Sequence, residues 1–282
     1  MKKAVHFLCL FVYALWVTGC STEDHKLLKD CDTCPELVEM PSGELWVDGL
    51  EIANTVSGAP GASDEFRSVS IPGFMLGRTE VTRGQWRALM GALPPAPLGY
   101  GDDQPVANVS WKQAREFVKR LSQKTGQAYR LPTETEWVYA GRAGASDSRP
   151  FASSVDQINR VAWHTGNREF SRSIDCPAAS DCGMFNYPRL SAVAQKRPNA
   201  FGLYDMYGNA GEWVEDAFLR DTVQWPQGPA GGAKRGDLRV RVVRGGSVLD
   251  DPMDLVSNRT GFGVDAVSDF VGFRVARALP GP

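Results

Sequence analysis

The chain has 282 residues, 43% of them hydrophobic, which is enough apolar material for one large domain or two small ones with a real core. A formal net charge of −2 without any dense basic run argues against nucleic-acid binding, which needs lysine and arginine to displace counterions from phosphates. Plentiful glycine (29), proline (18) and tryptophan (8) point to a turn-rich fold rather than a helical bundle.

The N-terminus reads as a targeting segment. Lys2 and Lys3 precede an apolar run from Val5 to Val17, which is short for a membrane span. Val17-Thr18-Gly19-Cys20 then has the pattern of a lipoprotein signal, so residues 1–20 are expected to be the signal and Cys20 the lipidated residue. Membrane contact would be through that lipid anchor, and Ser21 leans toward the outer membrane or cell surface of a bacterium. Residues 21–35 are polar and are expected to be a flexible tether, with 36–282 as one domain. Of the cysteines, Cys31, Cys34, Cys176 and Cys182 remain, an even number that reads as disulfides in an oxidising compartment. Cys176 and Cys182 bracket a short loop and are expected to pair. Cys31 and Cys34 suggest a local disulfide, with a four-cysteine zinc site as the alternative.

Leu37 to Gly43 looks like a strand entering a turn, and Val69 to Val81 like one or two strands broken at Pro72-Gly73. Three helices follow. Thr82 can cap one that runs through Met90 to Gly91. Ser110 and Gln113 form a capping box ahead of Ala114, Phe117, Val118 and Leu121 at helical spacing, and Gly126 stops that helix. Thr133 and Glu136 form another box, with a stop near Gly144. Beyond residue 145 the pattern is loop-rich, with strands expected at Arg239–Arg244 and Phe273–Arg277. This is an α+β pattern.

Four ordered blocks carry a family likeness: Arg130-Leu131-Pro132-Thr133-Glu134-Thr135-Glu136-Trp137, Asn199 through Trp213, Arg241 through Ser247, and Gly272-Phe273-Arg274. With Thr79 to Thr82, they resemble the formylglycine-generating-enzyme (sulfatase-modifying factor) family, and the likeness implies a loop-rich, C-type-lectin-like fold. The family's oxidase activity uses two cysteines after the Arg-Gly-Gly-Ser block, and a copper ion. Those positions fall at Asp250 and Leu255, and no cysteine lies beyond Cys182, so no such enzyme activity and no catalytic residue is expected. A related branch holds iron with three histidines, whereas only His25 and His164 remain after signal removal. The resemblance also implies a structural calcium held by the side chains of Asp205 and Glu212 and the carbonyls of Gly208 and Ala210. The alternative is that both acids cap turns. Gly211 departs from the family's usual tryptophan.

Between Ser247 and Gly272 the chain is similar to the variable proteins of diversity-generating retroelements, which include surface lipoproteins like the Treponema variable protein. Error-prone copying of template adenines in Asn codons cannot yield Lys, Glu, Gln, Trp or Met; residues 248–271 contain none of the first four and one methionine, Met253, which would have to be a template-fixed position. On that likeness Leu249, Asp250, Asp251, Thr260, Phe262, Asp265, Ala266 and Ser268 are the expected ligand-binding residues, mixing apolar anchors with acids that favour a cationic patch. The partner would be a protein or glycan at the cell surface. The other readings are a periplasmic enzyme of unrecognised activity or an accessory subunit of an envelope machine. Trp137, Trp213, Arg130, Arg244 and Arg274 read as structural.

Overall fold

The computed structural model describes residues 26–47, 67–95, 100–145, 154–171, 187–218 and 239–279. Both expected capping boxes and the Thr82 cap open helices, and Thr82 forms a box of its own with Gln85. In α1 (Arg83–Met90) the Thr82 amide donates to Gln85 Oε1 at 3.0 Å and the Gln85 amide to Thr82 Oγ1 at 3.2 Å. These bonds satisfy donors that a helix start otherwise leaves orphaned. α2 (Trp111–Thr125) repeats the device with Ser110 and Gln113, buries Ala114, Phe117, Val118 and Leu121, and ends at left-handed Gly126. α3 (Glu134–Arg142) starts from the Thr133–Glu136 box and is buried on every side.

A fourth helix, α4 (Val155–Val161), lies in the stretch that reads as loop. It buries only Ile158, so it carries no apolar stripe for a sequence pattern to reveal.

The helices pack on two sheets. One has the order β1 (Leu27–Leu28), β2 (Leu37–Met40), β5 (Phe74–Gly77), β13 (Ala276–Ala278) and β6 (Tyr129–Arg130), antiparallel throughout. The other runs β11 (Arg259–Gly263), β10 (Val240–Arg244), β9 (Gly211–Ala217) and β12 (Val271–Gly272), with only the β9–β12 pair parallel. Two-stranded ribbons join β3 (Gly43–Val47) to β4 (Arg67–Ile71) and β7 (Glu169–Ser171) to β8 (Tyr187–Arg189). The strand expected at Phe273–Arg277 is divided: β12 belongs to one sheet, β13 to the other, and Phe273, Arg274 and Val275 cross between them fully buried. Phe273 meets Phe117 edge-on at 5.3 Å, and Phe117 stacks on Trp86 at 5.5 Å. That aromatic trio locks α1 and α2 to the crossover.

The expected tether is corrected from Leu27 onward. Leu27 and Leu28 pair with Val38 and Leu37 as the sheet's edge strand. Cys31 and Cys34 are joined by a disulfide, which removes both from a zinc site, and Cys34 is buried. Asp30 accepts hydrogen bonds from Tyr129 Oη and Arg277 Nη2, which ties this stretch to β6 and β13. The domain therefore starts upstream of residue 36. The signal, Cys20 and the Cys176–Cys182 pair lie outside the described residues.

Candidate functional site

β10 is followed by Gly245 and Gly246, both with positive φ (91° and 65°). A Cβ on Gly245 would lie 3.1 Å from the Trp137 ring, and one on Gly246 2.8 Å from Leu255 Cδ2, so this turn demands glycine twice over. It leads into a loop that Asp250 braces. Asp250 Oδ2 accepts from the Ser247 amide (2.7 Å) and from Ser247 Oγ (2.9 Å), and its Oδ1 accepts from Asn258 Nδ2 (2.8 Å). Leu255 is buried in the core. The two positions that the resemblance assigns to thiols hold a hydrogen-bonded carboxylate, Asp250, and a packed aliphatic side chain, Leu255, and neither supplies a thiolate.

The eight expected ligand residues do not form one patch. Leu249 and Asp251 are exposed at one end of β11, whereas Asp265, Ala266 and Ser268 follow its other end, roughly 16 Å away for a five-residue strand. Thr260 and Phe262 sit on the strand between them. Phe262 is half-buried edge-on to Trp213 at 6.0 Å, Asp265 pairs with Lys112 at 2.8 Å, and Ser268 Oγ accepts from the Phe270 amide. Asp250, as the brace, is a framework residue. The physical reason is that residues 259–263 form an edge strand instead of a continuous loop.

Sequence reasoning missed Met253, 51% exposed beside Leu249 at 45%, and Phe170 at 46%. Arg168 ties the latter's segment to the loop: Nη1 donates to the Val248 carbonyl (3.1 Å) and the guanidinium lies 5.1 Å from the Phe170 ring centre. Phe170 stands in no recognisable motif, and Met253 does not fit adenine-derived variation, so neither carried a signal. His164 is buried, with Nε2 on Asn159 Oδ1 (2.9 Å) and Nδ1 accepting from the Gly166 amide (3.1 Å). Burial holds its pKa below the usual value, and with both nitrogens engaged it is no general base.

The expected calcium residues lie on a tight turn leading into β9. Asp205 and Gly208 have φ of 53° and 73°, and a Cβ on Gly208 would fall 2.0 Å from the Trp163 carbonyl. Glu212 is engaged: Oε1 accepts from Arg274 Nη2 (2.6 Å), and Oε2 from Arg274 Nε and Trp137 Nε1 (both 2.7 Å). Asp205 Oδ2 accepts from the Ala194 amide, whereas its buried Oδ1 has no hydrogen-bond partner. Burial pushes the Asp205 carboxyl up to about 6. Glu80 Oε2 is likewise buried without a partner, and burial with the Asp205 and Glu212 charges holds its carboxyl well above the usual range. Three buried carboxylates thus face Arg274. Of the two expected side-chain donors, the orphaned Asp205 Oδ1 has the chemistry for a hard cation, while Glu212 is taken up by Arg274 and Trp137. Among the described residues no group of three or more His, Cys, Asp or Glu side chains is placed to hold a metal ion, so backbone oxygens would supply much of the shell.

An α+β scaffold, a buried Arg274–Glu212 centre and a glycine-turned loop after β10 are the features of a formylglycine-generating-type domain. The chain belongs to the sulfatase-modifying factor enzyme 1-like domain family, whose model matches residues 24–279. It is similar to the "Chaperone protein LppX" of Paenibacillus barcinonensis, at 27% identity over 250 residues (76% of this chain, 80% of that protein). It is 32% identical over 207 residues to the formylglycine-generating enzyme of Streptomyces coelicolor, covering 68% of this chain and 60% of that one. The family also includes proteins named inactive, such as the Bos taurus "Inactive C-alpha-formylglycine-generating enzyme 2", at 26% identity over 72% of this chain and 59% of that one. Among solved structures, PvdO from Pseudomonas aeruginosa superposes with a TM-score of 0.69 at 28% identity, covering 90% of this chain and 98% of that one. Treponema denticola variable protein 1 gives 0.66 at 22% identity over 92% and 100%, a likeness of fold.

Proposed function

We propose that this chain is a lipid-anchored binding protein of the bacterial surface, built on a C-type-lectin-like scaffold, with the loop after β10 as its ligand face. One observation carries the reading: the loop keeps a rigid brace at Asp250 while presenting Leu249 and Met253 to solvent, at the place where the family's thiols would work. Exposed apolar anchors beside acids serve binding, not turnover. Loop diversification by a retroelement accounts for the absence of Lys, Glu, Gln and Trp from residues 248–271, with Met253 as a template-fixed position.

In glycan- and surface-protein-array binding, Leu249→Ser combined with Met253→Ser is expected to weaken capture about tenfold, with the urea midpoint unchanged. Equal capture by the variant would remove the loop as the binding face. Loci from several isolates should show substitutions at adenine-derived codons beside a near-copy template, and a uniform loop without one removes the retroelement. The LppX likeness supports a second reading, assistance to another envelope protein, in which the loop contacts that client.

Calcium is part of the proposal. Millimolar calcium is expected to raise the thermal midpoint relative to chelator, and Asp205→Asn to abolish that rise. An equal midpoint with and without calcium would leave Asp205 as a turn-forming acid only.

A further inference from the structure

Among the described residues β11 is an edge strand of its sheet, and its two sides are unlike. The Val264 amide donates to the Arg239 carbonyl, and the register continues as Arg241 opposite Phe262 and Val243 opposite Thr260. Antiparallel pairs alternate, so the backbone groups of Thr260 and Phe262 face β10 while those of Arg259, Gly261 and Gly263 face away from the sheet. Thr260, Gly261 and Gly263 are exposed. An edge of this kind is a template for another strand unless lysine, proline or a covering segment blocks it, and none of these residue types stands on β11.

The two glycines have different causes. A Cβ on Gly261 would lie 2.4 Å from the Phe218 ring, so packing requires that glycine. A Cβ on Gly263 would find nothing nearer than the Arg239 carbonyl at 3.9 Å, and its φ is not in the left-handed region, so the fold itself does not require glycine there. What glycine does provide is a bare backbone at the outward edge.

Charge narrows the partner. Residues 248–271 carry five aspartates and one arginine. Arg259 is neutralised by Glu134 at 2.7 and 3.0 Å, Asp265 pairs with Lys112 and Asp250 braces the loop, so the acids presented to solvent ahead of the strand decide the charge. Asp251 and Asp254 are exposed just ahead of the strand.

We propose that the outer edge of β11 pairs with an extended, basic polypeptide segment, which adds a fifth strand to the β11-β10-β9-β12 sheet. Main-chain bonds to Arg259, Gly261 and Gly263 would supply affinity, and the aspartates would select cationic side chains. The inference rests on the binding reading above and makes the ligand a polypeptide, read along its backbone.

The test uses the full-length protein in detergent micelles and a fluorescent peptide of about ten residues alternating lysine and valine, read by anisotropy. The expected result is binding that falls about tenfold with Gly263→Pro, which removes an outward donor without touching the β10 ladder. A similar loss is expected with Thr260→Lys, and with the same peptide N-methylated at alternate residues. Hydrogen exchange should slow at residues 259–263 on binding. Proper folding of each variant is read from its urea midpoint, and Thr260→Lys keeps the test decisive if Gly263→Pro unfolds. No binding of the peptide, equal binding of a glutamate–valine peptide, or indifference to N-methylation would each overturn the proposal. So would an edge occupied by a second copy, seen as a dimer that Thr260→Lys dissolves while peptide binding stays absent. Loss of array capture in the Leu249/Met253 variant but not in Thr260→Lys would leave the binding face standing and remove the edge.

Discussion

Replacing Arg274 by methionine is expected to cost about 3–5 kcal/mol of folding stability, the range for stranding one partner of a buried ion pair. Arg274 is fully buried and makes a two-bond contact with Glu212. It also donates to the carbonyls of Gly77 (2.9 Å) and Tyr204 (3.0 Å). A single guanidinium therefore ties the end of β5, the 204–205 turn and β9 to the crossover between the two sheets. Without it, Glu212 faces the Glu80 and Asp205 carboxyls with only the Trp137 donor left. Urea unfolding should show a large fall in midpoint at an unchanged slope. Adding Glu212→Leu should recover part of the loss, because the stranded charge is then gone. A single-variant cost below about 1 kcal/mol would show that the centre is not what joins the sheets.

The parts legible in the sequence are those in which local chemistry dictates local structure. Ser110 and Thr133 announced helices because a capping box is complete within four residues, Thr82 announced one as a cap, and α2 added a clean apolar stripe. Arg274, Trp137 and Trp213 were read as structural, and they are buried with partners. β9 was missed because both its faces are buried, so it has no alternation, and because Glu212 and Asp216 within it look polar until their partners from distant segments are seen. β11 was missed because two of its five residues are glycine, which is depleted in strands. At the site, the glycine turn that opens the loop was legible from the Arg241–Ser247 block. The division of the expected ligand residues between two ends of a strand was not, since it depends on where β11 pairs. Asp250 looked like a surface acid, and only its bonds to Ser247 and Asn258 reveal a brace.

Asp216 is expected to make the protein less stable as pH rises from about 4 to about 7. Its Oδ2 accepts from the Glu134 amide at the start of α3 (2.7 Å), while Oδ1 is buried without a partner. Burial, with the adjacent Glu134 and Glu215 charges, pushes this carboxyl up to about 7, and Arg259 opposes them only in part. A raised pKa means that the folded state holds a proton the unfolded chain releases near its ordinary value. The resulting stability is fully present below pH 4 and lost as pH passes through 7, to an extent of about 4 kcal/mol for a shift of this size. Glu134 acts in the opposite sense. Burial would raise its carboxyl, but Arg259 and Arg244 hold it below the usual range, so its contribution is lost on acidification. The two are separated by Asp216→Asn, which keeps an oxygen for the Glu134 amide and cannot ionise. Relative to the natural chain, this variant should gain stability steadily between pH 4 and 7 and be unaffected by pH above that. A difference that stays flat across the range would mean that Asp216 titrates like a solvated acid, and that Arg259 and Arg244 neutralise the layer beneath β10 and β11 completely.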